Sequence, residues 1–318
     1  MAMSPSSSPP SGLNIHTAIE ANKRRTVCFI VLLAIIPAVM AELFGLASGL
    51  PFEAATVVAV MAAGVAVLIA VWGYRSGDSL VLSVSEAHPA DPTQYKDLYN
   101  IVENLAIGAG IPMPKVYVMD DDALNAFATG RDPQHASIAI TTGLLKKLDK
   151  LEVEGVIAHE LSHVRNYDIR LMLITAVLVG VIAMIADVAL RATWFGAGSR
   201  HRYKGKGENA GGAIFLVLAV VAMIVAPIVA LLVQMAVSRQ REYMADASGA
   251  LLTRYPPGLA GALEKIAGDK DPLDANTKGT AHLWIAEPFK GQSSAMNSMF
   301  STHPPIQERI RRLRAMGG

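Results

Sequence analysis

Charge is scarce in this chain of 318 residues. Asp, Glu, Lys and Arg make up 17% of it, against roughly 25% in an average soluble domain. Apolar residues reach 52%, and the mean hydropathy is +0.36. That shortage excludes an ordinary soluble surface over the whole length and points to lipid. The net charge is +1, so no bulk field favours nucleic acid or another polyanion as partner. Cysteine is almost absent. The single Cys28 lies inside an apolar run, which excludes a disulfide framework within the chain and a cysteine-based metal site. Any metal here has to rest on histidines and carboxylates.

What the chain does have is long apolar runs. Residues 26–47 carry one charge, Glu42; residues 54–74 carry none; residues 171–190 carry one, Asp187; residues 210–237 carry none. About 20 apolar residues in a helix cross a hydrocarbon core of about 30 Å, and in lipid a helix is the form that satisfies its own backbone. The first run follows Asn22-Lys23-Arg24-Arg25 and invites comparison with a signal peptide. It is long for one, however, no small-residue cleavage site follows, and a second apolar run comes at once. We read it as an uncleaved span. Glu42 and Asp187 would suit a transporter, since ionisable residues inside a membrane are usually functional; both sit near segment ends, where a carboxylate reaches the interface.

The expected organisation is a disordered leader over 1–22, rich in Ser and Pro, then two transmembrane helices over 23–75. A first soluble part follows over 76–170, a membrane-associated helical hairpin over 171–237, and a second soluble part over 238–318. Lys23, Arg24 and Arg25 precede the first span, whereas residues 48–53 hold no Lys or Arg. Basic residues stay in the cytoplasm, so both soluble parts are expected there. The hairpin's own loop carries Arg191, Arg200, Arg202, Lys204 and Lys206, against that rule if both of its runs cross fully. In either case an even number of crossings returns residue 238 to the cytoplasmic side.

In the soluble parts, residues 94–108 read as an amphipathic helix with Leu98, Val102 and Leu105 on one face, ended by Gly110 and Pro112. Residues 115–119 and 137–140 read as short strands. Asp149 with Glu152 three residues on reads as a helix start. That helix carries Val153, Val156, Ile157, Leu161 and Val164 at helical spacing and is expected to run on toward the third apolar run. Pro256-Pro257 and Pro305 open two further helices, and residues 269–279 read as a charged linker.

Within the Asp149 helix lies His159-Glu160-Leu161-Ser162-His163. Two His at i and i+4 share one helix face, so both imidazoles reach one ion, and Glu160 beside them is placed to take a proton from water. Zinc in a catalytic site takes three protein ligands and leaves one position open. The best third ligand is Glu242, which follows the fourth apolar run. Asp246, one turn beyond, is placed to accept a hydrogen bond from the other nitrogen of a ligating His. His16, His88, His135, His201 and His282 lack ligand spacing.

Taken together these residues resemble the HtpX family of bacterial membrane zinc metalloproteases, relatives of the CaaX prenyl-protein protease. The resemblance covers nearly the whole chain after the leader. It rests on Asn22-Lys23-Arg24-Arg25, on Ala109-Gly110-Ile111-Pro112-Met113-Pro114-Lys115-Val116-Tyr117, on Asn125-Ala126-Phe127-Ala128-Thr129-Gly130, on Ile157 through His163, and on Arg241-Glu242-Tyr243 with Ala245-Asp246. It implies a mainly α integral membrane protein with a zincin-type (gluzincin) α+β cytoplasmic domain. It also implies one zinc ion per chain and hydrolysis of misfolded or damaged membrane proteins, in quality control and stress response at the bacterial inner membrane. The resemblance further gives Asn125 a place on a substrate-pairing edge strand and His303, in Ser301-Thr302-His303-Pro304-Pro305, a role toward the transition state. A zinc-bearing membrane scaffold without catalysis is the other reading of the same residues, but binding alone has no use for Glu160.

Overall fold

The computed structural model describes residues 15–47, 50–178, 180–181, 239–269, 271, 283–285 and 304–317. Two helices of 33 residues open it, α1 (Ile15–Ala47) and α2 (Phe52–Val84). Both are long and apolar enough to cross a membrane. At 1.5 Å per residue each is roughly 50 Å long, well beyond the hydrocarbon core of about 30 Å, so their ends project past it. Val27, Val31, Ile35 and Val39 form an exposed stripe on α1, and Val60, Met61, Leu68 and Trp72 are exposed on α2. Near the turn between them, Thr56 Oγ1 donates to Glu42 Oε1 at 3.1 Å, so this carboxylate ties α1 to α2.

The leader reading needs correction. Residues 15–22 are helical, not disordered: the stretch holds no Gly or Pro, and Asn22 is buried against Asn166 and Asp168. The first helix therefore starts well before the apolar run that marks it in the sequence.

The domain that follows is built on a four-stranded sheet in the order β1 (His88–Pro89), β2 (Lys115–Met119), β4 (Ala136–Thr141), β3 (Ala126–Gly130). β2 and β4 are parallel, with Val116 opposite Ile138, and β3 runs antiparallel on the outer edge, with Ala128 opposite Ile138. Helix α3 (Lys96–Ala109) buries Leu98 and Val102 and ends in a left-handed Gly110, a conformation that favours glycine. After β4, Thr141 caps the short α4 (Thr142–Lys147) by accepting from Leu144 N. Asp269, at the head of the expected linker, is instead anchored. It accepts from Leu124 N at 3.0 Å, and Lys147 Nζ lies 3.3 Å from its other oxygen.

Helix α5 (Lys150–Arg165) opens with a full capping box between Asp149 and Glu152. It is the central helix, buried continuously from Gly155 to Val164. It does not run on directly. Asn166 ends it, Tyr167 takes a φ of +59°, and a new helix, α6, covers residues 168–178. Leu171, Ile174 and Leu178 of α6 pack with Phe29, Leu33 and Ile36 of α1 and Ala70 of α2. The rest of the third apolar run with Asp187, the basic loop and the whole fourth run lie outside the described residues. Beyond them come α7 (Arg239–Thr253), α8 (Pro256–Gly268) and α9 (Ile306–Met316). α7 and α8 both pack on α5, and Leu259, Leu263, Ile310 and Leu313 close the core over Val156 and Ile157.

Glycines set how closely those helices approach α5. A Cβ on Gly249 of α7 would sit 2.9 Å from His159 N, and one on Gly155 would sit 2.6 Å from Leu259 N. In an open helix Gly→Ala gains about 0.5–1 kcal/mol; forcing two backbones apart in a packed core costs about 1–3 kcal/mol. The second term wins here. Gly155→Ala is expected to lower the thermal midpoint, and a raised midpoint in a melt of the purified protein would contradict the close α5–α8 contact.

Candidate metal centre

Helix α5 presents His159 and His163 one turn apart, and α7 brings Glu242 to meet them. One ligand atom from each lies within 4.8 Å of the other two. The two Nε2 atoms are 3.2 Å apart, His163 Nε2 is 3.5 Å from Glu242 Oε1, and His159 Nε2 is 3.8 Å from Glu242 Oε2. Two donors held about 2.0–2.1 Å from a tetrahedral ion sit about 3.3 Å apart, so these spacings fit one ion with little adjustment. All three residues are buried, as is Glu160. Ala128, Met172, Leu283, Trp284 and Ile285 line the space in front of them.

Each imidazole has a carboxylate behind it. Asp168 Oδ2 lies 3.1 Å from His163 Nδ1. Asp246 Oδ1 lies 3.0 Å from His159 Nδ1, off the ring N–H axis. Asp246 is held in turn by Arg309, whose Nε and Nη2 donate to its two oxygens at 2.9 and 2.7 Å, a bidentate pair of fixed geometry. Arg309 Nη1 donates to Ile285 O at 3.2 Å and lies 3.7 Å from Glu242 Oε2.

The charge balance of this buried cluster asks for a dication. Glu160, Glu242, Asp246 and Asp168 are four carboxylates, and Arg241 and Arg309 are two guanidiniums, all buried. With neutral imidazoles two negative charges are left over. The titration directions express the same excess. Burial disfavours the His163 imidazolium, but Asp168, Glu242 and Glu160 outweigh it and raise its pKa to about 9. Burial, aided by Glu242, pushes Glu160 up to about 8. Burial lowers His159, which Arg309 reinforces and Asp246 opposes. Asp246 goes the other way: burial would raise it, but Arg309 and His159 bring it down to about 2. Two imidazole nitrogens and one carboxylate form a donor set that suits zinc.

Asn125 precedes β3. Its backbone oxygen accepts from Thr141 N, and its side chain is buried, with Oδ1 accepting from Ala126 N. Pairing at 125 turns the backbone groups of alternate residues toward the open edge. Ala126 O there accepts from Ile285 N, and Ala128 N donates to Glu160. His303 lies outside the described residues. Sequence reasoning missed Arg309, Asp168, Asn22 and Arg241. Arg309 had one signal: it falls on the apolar face of α9 with Ile306, Ile310 and Leu313, unlike the exposed Arg311, Arg312 and Arg314. Asn22 and Arg241 lie inside motifs that carry the family resemblance, with no role given to either.

The profile of peptidase family M48 matches residues 92–317. The chain is 45% identical over 302 residues to a protease HtpX homolog of Dictyoglomus thermophilum, covering 95% of both chains. It is 41% identical to one of Lactobacillus acidophilus, over 95% of this chain and 100% of the other. It is 48% identical to one of Tropheryma whipplei, over 77% and 80%. Among solved structures, the Ste24p of S. mikatae aligns over 94% of this chain and 67% of its own, at 18% identity and a TM-score of 0.47.

The raised pKa values fix the sign of a pH effect. At pH 7 His163 and Glu160 both lie below their pKa values of about 9 and about 8, so both hold protons that a cation must displace. Metal affinity is therefore expected to fall with falling pH, by up to about 100-fold per unit for two protons. Titration calorimetry at pH 7 in buffers of different ionisation enthalpy should show more than one proton released per ion. Release of none would contradict this electrostatic description.

Proposed function

Because the chain belongs to peptidase family M48, and is thus a metallopeptidase with membrane helices, we propose that it holds one zinc ion on His159, His163 and Glu242. We further propose that it hydrolyses peptide bonds of misfolded or damaged membrane proteins, in quality control and stress response. The observation that carries this reading is the convergence of those three buried donors with Glu160 beside them. When bound, the ion supplies Lewis-acid polarisation of the scissile carbonyl and lowers the pKa of water to about 7.

The remaining work falls to the chain's own side chains and backbone. Glu160 is the general base: it takes the proton of the attacking water and then delivers it to the leaving amine. The proton that burial holds on Glu160 is one that a bound cation displaces, which would leave the carboxylate able to accept from water. Asp168 pairs with Nδ1 of His163, and Asp246 lies 3.0 Å behind Nδ1 of His159, from where a small turn of the ring would let it accept; both would leave Nε2 free for an ion. His303 is the donor to the developing oxyanion. The outer edge of β3, which Asn125 introduces, is where an extended substrate pairs by backbone hydrogen bonds, taking the places of Ile285 N on Ala126 O and of Glu160 on Ala128 N. Backbone pairing reads no side chain, which supports selection by unfolded conformation over sequence.

Asn22, at the basic end of α1, touches the carboxylate behind His163. Lys23, Arg24 and Arg25 lie at that same end. The positive-inside rule then puts the site on the cytoplasmic face of the bacterial inner membrane, next to the bilayer, where membrane substrates arrive. The chain is on this reading a multi-pass protein whose partners are its substrates and the lipid.

Glu160→Gln is expected to abolish cleavage of an unfolded protein such as casein while zinc stays near one per chain. Activity above a few per cent of wild type would remove Glu160 from the base role. His303→Ala is expected to lower kcat by about 10²–10³ with zinc content and thermal midpoint little changed. A folded, zinc-loaded His303 variant with normal kcat would sink its catalytic assignment.

A further inference from the structure

The first membrane helix reaches into the metal centre. Asn22 of α1 is buried, and its Nδ2 donates to Asp168 Oδ1 at 2.7 Å and to Asn166 O at 3.1 Å. The other oxygen of Asp168 is the one at 3.1 Å from His163 Nδ1. We propose that Asn22 is a positioning residue of the metal site, acting through Asp168 on His163, so that the ligand set is complete only with α1 seated against the protease domain. This rests on the zinc assignment made above.

Three features support a specific role over general packing. The first is the turn that Asn22 grips. Asn166 and Tyr167 break the helix between α5 and α6, with Tyr167 at a φ of +59°. That break directs Asp168 back toward His163. Asn22 satisfies the carbonyl of Asn166 on one side of the turn and the carboxylate of Asp168 on the other. Lys23 of α1 and Arg170 of α6 both lie over the Tyr167 ring, at 5.2 and 4.9 Å. Two successive residues of α1 thus hold this one turn.

The second is the shortage of replacements. Asp168 has no exposed surface, so bulk water cannot take over a lost hydrogen bond. Arg241, adjacent to the proposed ligand Glu242, approaches the same Oδ1 at 3.5 Å and Asn22 Oδ1 at 3.4 Å. Those contacts are long, and the 2.7 Å bond from Asn22 is the short one on that oxygen. Without it the carboxylate is freer to rotate about its own axis, and rotation moves Oδ2 away from His163.

The third is the chemistry of the link. A carboxylate on Nδ1–H fixes the tautomer that leaves the Nε2 lone pair for an ion. An amide is suited to hold such a carboxylate because it donates without adding charge. A lysine or arginine at this position would alter the charge balance of the buried cluster.

The test is zinc affinity, measured by chelator competition on the detergent-solubilised full chain, with the thermal midpoint of the metal-free protein as a second readout. Asn22→Leu removes the donor at similar volume. Thr26→Val is the control: Thr26 is also buried on α1, and its hydroxyl donates to Asn22 O at 2.9 Å within the same helix. Asn22→Leu is expected to weaken zinc by about 10–100-fold, the usual loss when the group behind a ligand is removed, while the metal-free protein still melts cooperatively, at a midpoint lowered by the unsatisfied Asn166 carbonyl and Asp168 carboxylate. Thr26→Val is expected to bind within about twofold of wild type, on the same scale. Should the leucine variant fail to fold, Asn22→Ala adds no bulk and carries the same expectation. Wild-type zinc affinity in a folded Asn22 variant overturns the positioning role and leaves the zinc assignment intact. A wild-type protein that binds no zinc overturns both.

Discussion

Three donor atoms from two helices that are far apart in the sequence must meet in a buried space only a few ångströms across, and most of the fold can be traced to that demand. His159 and His163 come from α5, Glu242 from α7. For α7 to reach α5 at the level of His159, Gly249 must carry no side chain. For the histidines to face inward, each needs an acceptor behind it, and Asp246 and Asp168 stand there. Those acids need counter-charges, and Arg309 and Arg241 supply them. A buried ionic cluster of this size is a poor route to stability, since well-packed apolar residues do as well or better. Its cost makes sense if a dication completes it.

The membrane part of the molecule belongs to the same design. Helices of 33 residues are longer than a bilayer requires, and the surplus length is used. The projecting end of α1 carries Asn22 and Lys23 to the turn beside His163. Where α6 passes close to α2, a Cβ on Gly73 would meet Val177 and one on Gly77 would meet Leu173. The apolar packing of α6 on α1 and α2 thus continues, without a linker, into the polar packing around the metal centre.

Much of this was legible in the sequence because the relevant signals are local. The first two apolar runs, the Asp149 capping box and the His159–His163 spacing are signals local in the sequence, and each has its counterpart in the structure. The family resemblance likewise agrees with the M48 match. What escaped was non-local or weakly patterned. β3 is signalled only through the family resemblance: it is buried along its whole length, so no apolar–polar alternation marks it, and Thr129 is its one β-branched residue. The break at Asn166–Tyr167 has no Gly or Pro to mark it; the turn is held by Asn22, more than a hundred positions earlier. Residues 15–22 fall between a Ser/Pro-rich stretch and the apolar run, and the contact that seats the end of this segment, Asn22 on Asn166 and Asp168, is a tertiary one.

The central claim is that two imidazoles and one carboxylate hold a zinc ion, and X-ray absorption at the zinc edge tests it most directly. Spectra of the purified protein loaded with one equivalent of zinc should fit four nitrogen or oxygen donors at about 2.0–2.1 Å, two of them imidazoles by their multiple-scattering signature. The same spectra on the Glu242→Ala protein should change in the oxygen contribution and keep both imidazoles. A wild-type site with no imidazole scattering, or one unaffected by loss of Glu242, would contradict the account.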